Sequence, residues 1–256
     1  MSKALVGAQL FSARQHCQDI DGVRETFKRV KEIGYSVVQV SGFGPVEPQA
    51  VAEAVQESGL IVGATHIKWQ RFLDDLDAVI AEHKMWGCKH PAIGSLPGEY
   101  SVPGGIEKFV AELTPIAQKL AQAGMDFSYH NHNHEMVPCG ETTWLEALYA
   151  AAPPDVLKAE IDTYWIQAGG GDPAAWISKY AGREPVIHLK DMTITAEREQ
   201  RFAPIGSGNL NWDAILAAVD KAEVEYMFVE QDNCYGEDVF KCLESSYRFL
   251  ASRGYC

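Results

Sequence analysis

Apolar positions along the chain follow two alternating regimes. Short, nearly continuous runs of Val, Ile, Leu, Ala and aromatic residues occur at 4–10 (ALVGAQL), 35–40 (YSVVQV), 60–66 (LIVGATH), 89–94 (KHPAIG), 125–131 (MDFSYHN), 156–162 (VLKAEID), 185–190 (PVIHLK) and 225–231 (EYMFVEQ). Runs of this length and composition predict strands covered on both faces. The segments between them carry a helical period. DGVRETFKRVKEIG sets Val23, Phe27, Val30 and Ile33 on one face, with Asp21 as the predicted N-cap and Gly34 as the stop. EPQAVAEAVQESG opens with Pro48 in its first turn and ends at Gly59. WQRFLDDLDAVIAEHKMWG and GGIEKFVAELTPIAQKLAQAG predict the two longest helices, with Pro115 kinking or splitting the second. TTWLEALYAAA, DPAAWISKYAG (capped by Asp172), NWDAILAAVDKAE and EDVFKCLESSYRFLASRG complete the alternation.

Strands that each feed a helix pair in parallel through crossover connections. A doubly wound open sheet usually carries a glycine-rich fingerprint after its first strand, and QLFSARQ has none. The predicted fold is therefore α/β, a single (β/α)8 TIM barrel. No linker, low-complexity segment or charge block interrupts it, so one domain is expected over residues 1–256.

Composition narrows the function more than the fold. A net charge of -13 argues against a nucleic-acid partner, since such partners select basic surfaces. No apolar run approaches the ~18 residues of a membrane span. The stretch after Met1-Ser2-Lys3 is too short for a signal segment. The six cysteines are scattered, with no C-x-x-C pair. The expectation is a cytoplasmic protein with reduced thiols, no membrane partner and a small-molecule substrate, homo-oligomerisation being left open.

Barrels of this kind hold their chemistry at the C-terminal strand ends. The first four predicted ends offer Gln9, Gly42 and Phe43, His66, and Gly94. The last four offer the His130–Glu135 cluster, Asp162, His188 and Glu230. Taken singly, each could be a solvated loop residue or a helix cap. Taken together, three carboxylates and an imidazole at one mouth form a mostly oxygen site for a single divalent ion, Mn²⁺ first, with Mg²⁺, Co²⁺ or Zn²⁺ as alternatives. Without a cation such carboxylates would repel one another. The pleat of strand five turns Phe127 and Tyr129 toward the helices and Ser128, His130 and His132 into the barrel.

These strand ends resemble the sugar isomerase/epimerase family with a xylose-isomerase-like TIM barrel (AP endonuclease family 2 superfamily). The resemblance is carried by YHNHNHE (129–135), EIDTYW (160–165), HLKD (188–191), PIGSGNLNW (204–212) and VEQD (229–232), and it covers nearly the whole chain. It implies metal ligands Asp162, His188 and Glu230, with Glu135 preferred over His130 as the fourth. It also implies proton transfer on a keto-sugar or polyol ketone through a metal-bound enediolate, with Glu135 and Glu230 as the proton-transfer pair. His130 and His132 would line the substrate side.

Other residues have weaker grounds. His66 and Lys190 face the predicted mouth and are substrate-binding candidates, and Asp191 is read as a loop anchor. Trp69, Phe11, Phe43 and Trp165 are candidate apolar walls. GSGN (206–209) suits a phosphate cradle or, preferably, a tight turn before an Asn211 cap, which slightly favours a non-phosphorylated substrate. Arg198 and Arg201 lie in a charged loop that is a candidate cover for the mouth. A lyase of the same superfamily, an inosose-type dehydratase or an enzyme eliminating from a 3-keto-sugar, is the nearest rival function. A non-catalytic sugar-binding barrel is more distant. A DNA-repair nuclease would need further acids and histidines at strands two to four, which QVSGFG and AIGSLP lack.

Overall fold

The computed structural model describes residues 4–256, so Met1–Lys3, the first three residues of the expected 1–256 domain, lie outside the described residues. Eight parallel strands close into a barrel: β1 (Leu5–Gln9), β2 (Val37–Val40), β3 (Ile61–His66), β4 (His90–Ile93), β5 (Ser128–His130), β6 (Lys158–Asp162), β7 (Val186–Leu189) and β8 (Tyr226–Val229). Neighbours follow chain order, and β8 pairs back onto β1 from Leu5↔Tyr226 to Ala8↔Val229. Each of the eight apolar runs contains one strand.

The lower barrel interior is apolar. Val37, Ala64, Val186 and Phe228 form a fully buried cluster there. Phe228 fits because β1 and β3 supply glycines opposite it. A Cβ on Gly7 would stand 2.5 Å from the Phe228 ring, and one on Gly63 would stand 3.0 Å from it. Gln9, Gln39, His130, Glu160 and His188 are buried polar residues nearer the C-terminal ends, and Phe228, its ring 6.4 Å from that of His188, floors the layer where the chemistry gathers.

The flanking helices are α1 (Ile20–Ile33), α2 (Pro48–Ser58), α3 (Trp69–Asp74), α4 (Leu76–Trp86), α5 (Gly105–Gln122), α6 (Trp144–Ala151), α7 (Thr163–Ala168), α8 (Pro173–Lys179), α9 (Trp212–Ala222) and α10 (Val239–Ser252). Three details differ from the pattern read in the sequence. The cap of α1 is Asp19, whose carboxylate accepts from Gly22 N at 2.8 Å, while Asp21 sits in the first turn near the positive end of the dipole. The long helix predicted from Trp69 divides at Asp75, whose backbone (φ -150, ψ 53) is not helical. Pro115 does not divide α5. Phe109, Leu113, Ile116 and Leu120 are buried on both sides of it, and at ~1.5–3 kcal/mol each their burial outweighs one missing hydrogen bond.

Two hairpins extend from the C-terminal side. Pro138–Cys139 pairs with Thr142–Thr143, and Asp191–Ile194 pairs with Gln200–Ala203. The second replaces the charged loop expected around Arg198 and Arg201. All six cysteines are free thiols, and no helix among the described residues is long and apolar enough to cross a membrane.

Candidate functional site

Asp162 ends β6 and also caps α7. Its Oδ1 accepts from Trp165 N at 2.9 Å, while its Oδ2 lies 3.2 Å from His130 Nε2. Cap and site are thus two uses of one carboxylate. The β6–β7 register sets Asp162 beside His188, whose Nδ1 stands 2.9 Å from Glu230 Oε2 and 3.8 Å from Asp162 Oδ2. One donor atom from each of His130, Asp162, His188 and Glu230 lies within 4.8 Å of the others, and all four residues are buried.

Glu135, preferred in the sequence as the strand-five ligand, is not brought to this group. It sits on a short turn, His134–Met136, and is 2% exposed. The Tyr129 hydroxyl donates to its Oε1 at 2.7 Å, His132 N donates to its Oε2 at 2.8 Å, and His134 Nε2 lies 3.1 Å away. The reason is the pleat. Tyr129 points toward the helices, so a carboxylate meeting its hydroxyl lies on the outer side of the barrel wall. The inward corner belongs to His130. Burial would raise the Glu135 carboxyl, but hydrogen bonds from His134 and Tyr129 hold it below the ordinary value. It clamps the loop after β5.

Two imidazoles and two carboxylates with donor atoms within 4.8 Å of one another are gathered closely enough that a divalent ion could draw them into one coordination shell. With His130 in place of a third carboxylate, the donor set shifts from oxygen-rich toward mixed nitrogen and oxygen. That mixture suits Zn²⁺, Co²⁺ or Mn²⁺ better than Mg²⁺.

Lys190 enters from the strand end of β7. Its ammonium, 1% exposed, lies 3.2 Å from Asp162 Oδ2, 2.9 Å from Glu230 Oε2 and 3.0 Å from Asp232 Oδ2. Burial opposes its charge, but these three carboxylates hold it above the ordinary lysine value. Burial also works against charge on His188, yet Glu160 and Glu230 push it up to about 10. Burial and the neighbouring Glu230 raise Asp232 to about 6. His132 goes the other way, to about 3, through burial and the adjacent His130.

Beneath the cluster lies a layer absent from the strand-end reading. Glu160, two residues before Asp162 and fully buried, brings its Oε1 to 2.7 Å from Gln39 Nε2, 2.9 Å from His66 Nε2 and 2.6 Å from His188 Nε2. The sequence did carry a signal for it. Alternation sets Glu160 on the same face as Asp162, and Gln39 interrupts an otherwise apolar run.

A cavity of about 720 Å³ opens above these groups. His66, His130, His132, Lys190, Glu230 and Asp232 face it, and Phe11, Phe43 and Trp86 give it an apolar side. Trp69, expected on that wall, is instead core. It is 3% exposed, donates from Nε1 to the Tyr100 hydroxyl at 2.8 Å, and sits among the rings of Phe72, Phe109 and Phe127. Trp165 packs on the far side, its ring 5.2 Å from His132 and also 5.2 Å from Lys190 Nζ.

The GSGN turn already holds an anion of the protein's own. Asp191 accepts from Gly206 N at 2.8 Å, Gly208 N at 3.0 Å, Leu210 N at 3.3 Å and Trp212 Nε1 at 2.7 Å. Those backbone groups are therefore taken. The Asn211 cap accepts from Ala214 N at 3.2 Å.

A family profile described as xylose isomerase-like TIM barrel matches residues 27–239, and the chain belongs to that family. No curated protein matches the chain. Among solved structures, a sugar phosphate isomerase/epimerase from Parabacteroides distasonis ATCC 8503 superposes with a TM-score of 0.78 at 20% identity, over 98% of this chain and 94% of that one. An L-ribulose 3-epimerase gives 0.76 at 16% identity, over 97% and 94%. A probable 3-DHS dehydratase from Bacillus anthracis gives 0.73 at 13%, over 98% and 100%. At these identities the likeness is one of fold.

Proposed function

We propose that the chain is a divalent-metal-dependent sugar isomerase or epimerase acting on a keto-sugar or polyol ketone that carries no phosphate. The observation that carries this reading is the buried convergence of His130, Asp162, His188 and Glu230 at the floor of a cavity at the barrel's C-terminal end. These four residues would hold the ion. Once bound, it would act as a Lewis acid that polarises a carbonyl and makes the neighbouring C–H acidic.

The remaining chemistry falls to the protein's own groups. Glu230 removes the proton from the carbon beside the carbonyl. Its return to the adjacent carbon isomerises, and its return on the opposite face epimerises. Lys190 offers a fixed positive charge to the oxygen that gains negative charge in the transition state. Asp232, which faces the cavity, takes the place expected for Glu135 as the second carboxylate near the substrate. His132, whose Nδ1 has no partner among the described residues, binds a hydroxyl, whereas His66 spends both ring nitrogens on Gln9 and Glu160 and only borders the cavity, and Phe11 and Phe43 cover an apolar edge of the sugar. Occupation of the glycine turn by Asp191 supports the non-phosphorylated class.

The test is incubation of metal-loaded protein with keto-sugars in D₂O. Deuterium appearing beside the carbonyl without loss of water is the expected result, whereas an unsaturated product would identify a lyase. Metal analysis decides the cofactor. Less than about half an equivalent of Mn²⁺ or Zn²⁺ retained after reconstitution would overturn the metalloenzyme reading.

A further inference from the structure

The polar layer under the candidate metal site fixes the direction of its hydrogen bonds from one end to the other. The backbone N–H of Phe11 donates to Gln9 Oε1 at 2.6 Å, so the amide nitrogen of Gln9 is the atom that faces His66 Nδ1 at 3.3 Å. An amide nitrogen only donates, so His66 Nδ1 accepts and His66 Nε2 carries the proton given to Glu160. Gln39 likewise turns its amide nitrogen to Glu160 and leaves its carbonyl oxygen facing His188 Nε2 at 2.6 Å. His188 Nε2 then has two acceptors, Gln39 Oε1 and Glu160 Oε1, each at 2.6 Å. It must carry a proton. His188 Nδ1 is left for the group formed with His130, Asp162 and Glu230. Glu160 Oε2 has no partner among the described residues, so the carboxylate acts through Oε1 alone.

We infer that Glu160 is a positioning residue, which with Gln39 holds His188 in the orientation and tautomer that present Nδ1 to a divalent ion. A carboxylate behind an imidazole ligand fixes the ring and raises its basicity, and loss of such a partner typically weakens metal binding ~10–100-fold. The affinity arm of this inference rests on the metal reading above, whereas the arrangement of protons on His188 does not.

Two measurements on the intact protein test it. The first is Mn²⁺ affinity, read by electron paramagnetic resonance of the free ion. Glu160→Gln keeps the side-chain shape and should weaken binding about 10–100-fold. Adding Gln39→Glu returns a carboxylate to the same nitrogen from the opposite side and should recover most of that loss. A role in packing alone would predict no such recovery. A Kd for Glu160→Gln within about twofold of wild type, or a double variant no better than the single one, would overturn the inference.

The second is ¹⁵N-resolved NMR of histidine side chains in metal-free protein. Wild type should show a slowly exchanging downfield proton on His188 Nε2, and Glu160→Gln should shift or lose it. Absence of that proton in wild type, or an unchanged signal in the variant, defeats the inference whatever the metal does. A wild type that shows the proton but binds no divalent ion instead defeats the metal reading and leaves the positioning role standing.

Discussion

Replacing Lys190 by Met removes the ammonium that Asp162, Glu230 and Asp232 share, while keeping an unbranched side chain of similar length. At contacts of 2.9–3.2 Å and an effective dielectric near ~20, each pair attracts by ~5 kcal/mol, most of it offset by the cost of burying the charges. Taking away one partner leaves that cost in place with less to balance it. The expected loss is ~3–5 kcal/mol in metal-free protein. That is a large part of a typical total of ~5–15 kcal/mol, and for a chain of this size it corresponds to a melting temperature lower by roughly 6–20 °C. Urea unfolding followed by far-UV circular dichroism, with a chelator present, measures it. A divalent ion among Asp162, Glu230 and the two histidines would restore positive charge, so saturating Mn²⁺ should stabilise Lys190→Met more than wild type. A loss below about 1 kcal/mol in the metal-free variant, or an equal rise of both proteins with Mn²⁺, would refute the shared-ammonium role of Lys190.

Other substitutions separate the remaining assignments. His130→Ala should weaken Mn²⁺ binding at least about 100-fold, while Glu135→Gln, which loosens only the loop clamp, should leave Kd within about threefold; calorimetric titration of both distinguishes the two candidates for the strand-five corner. Glu230→Gln should abolish deuterium incorporation from D₂O while its circular dichroism stays that of wild type, and wild-type turnover in this variant would remove Glu230 as the proton-transfer group. Glu184 is a separate case, 1% exposed with neither oxygen hydrogen-bonded, its carboxyl pushed by burial from an ordinary 4.5 up to about 9. Because the folded value is the higher one, unfolding releases a proton between those limits, and wild-type stability falls as pH rises from about 5 to about 9. Glu184→Gln removes that dependence, so its advantage over wild type should grow by up to about 1.4 kcal/mol per pH unit from pH 5 to 8; a flat difference in urea unfolding would show the carboxyl is not held neutral.

Much of this protein was legible from its apolar pattern. Runs of buried-strand type alternating with helical periods lead to a closed parallel barrel, because parallel neighbours need crossovers and each helix must cover the sheet. Asp162, His188 and Glu230 follow from the same rule, since strand ends on one side of a barrel converge whatever the loops do. Period two also places His130 on the inner face and Tyr129 on the outer one.

What the pattern left open depends on where the chain turns after a strand and on which rings share a layer. Glu135 lies five residues beyond His130, and only the turn decides whether it folds back over the mouth or outward onto the Tyr129 hydroxyl. Trp69 is one of four aromatic candidates for the cavity wall in the sequence, but the helix that starts there sets it in a cluster with Phe72, Phe109 and Phe127. Glu160 and Gln39 are 121 residues apart in the chain, and their meeting beneath His188 requires the barrel to close. Hydrophobic periodicity is local and is written along the sequence. Hydrogen-bond partnership across a barrel is not, because it depends on shear, rotamers and turn geometry together, and only the assembled tertiary structure determines those.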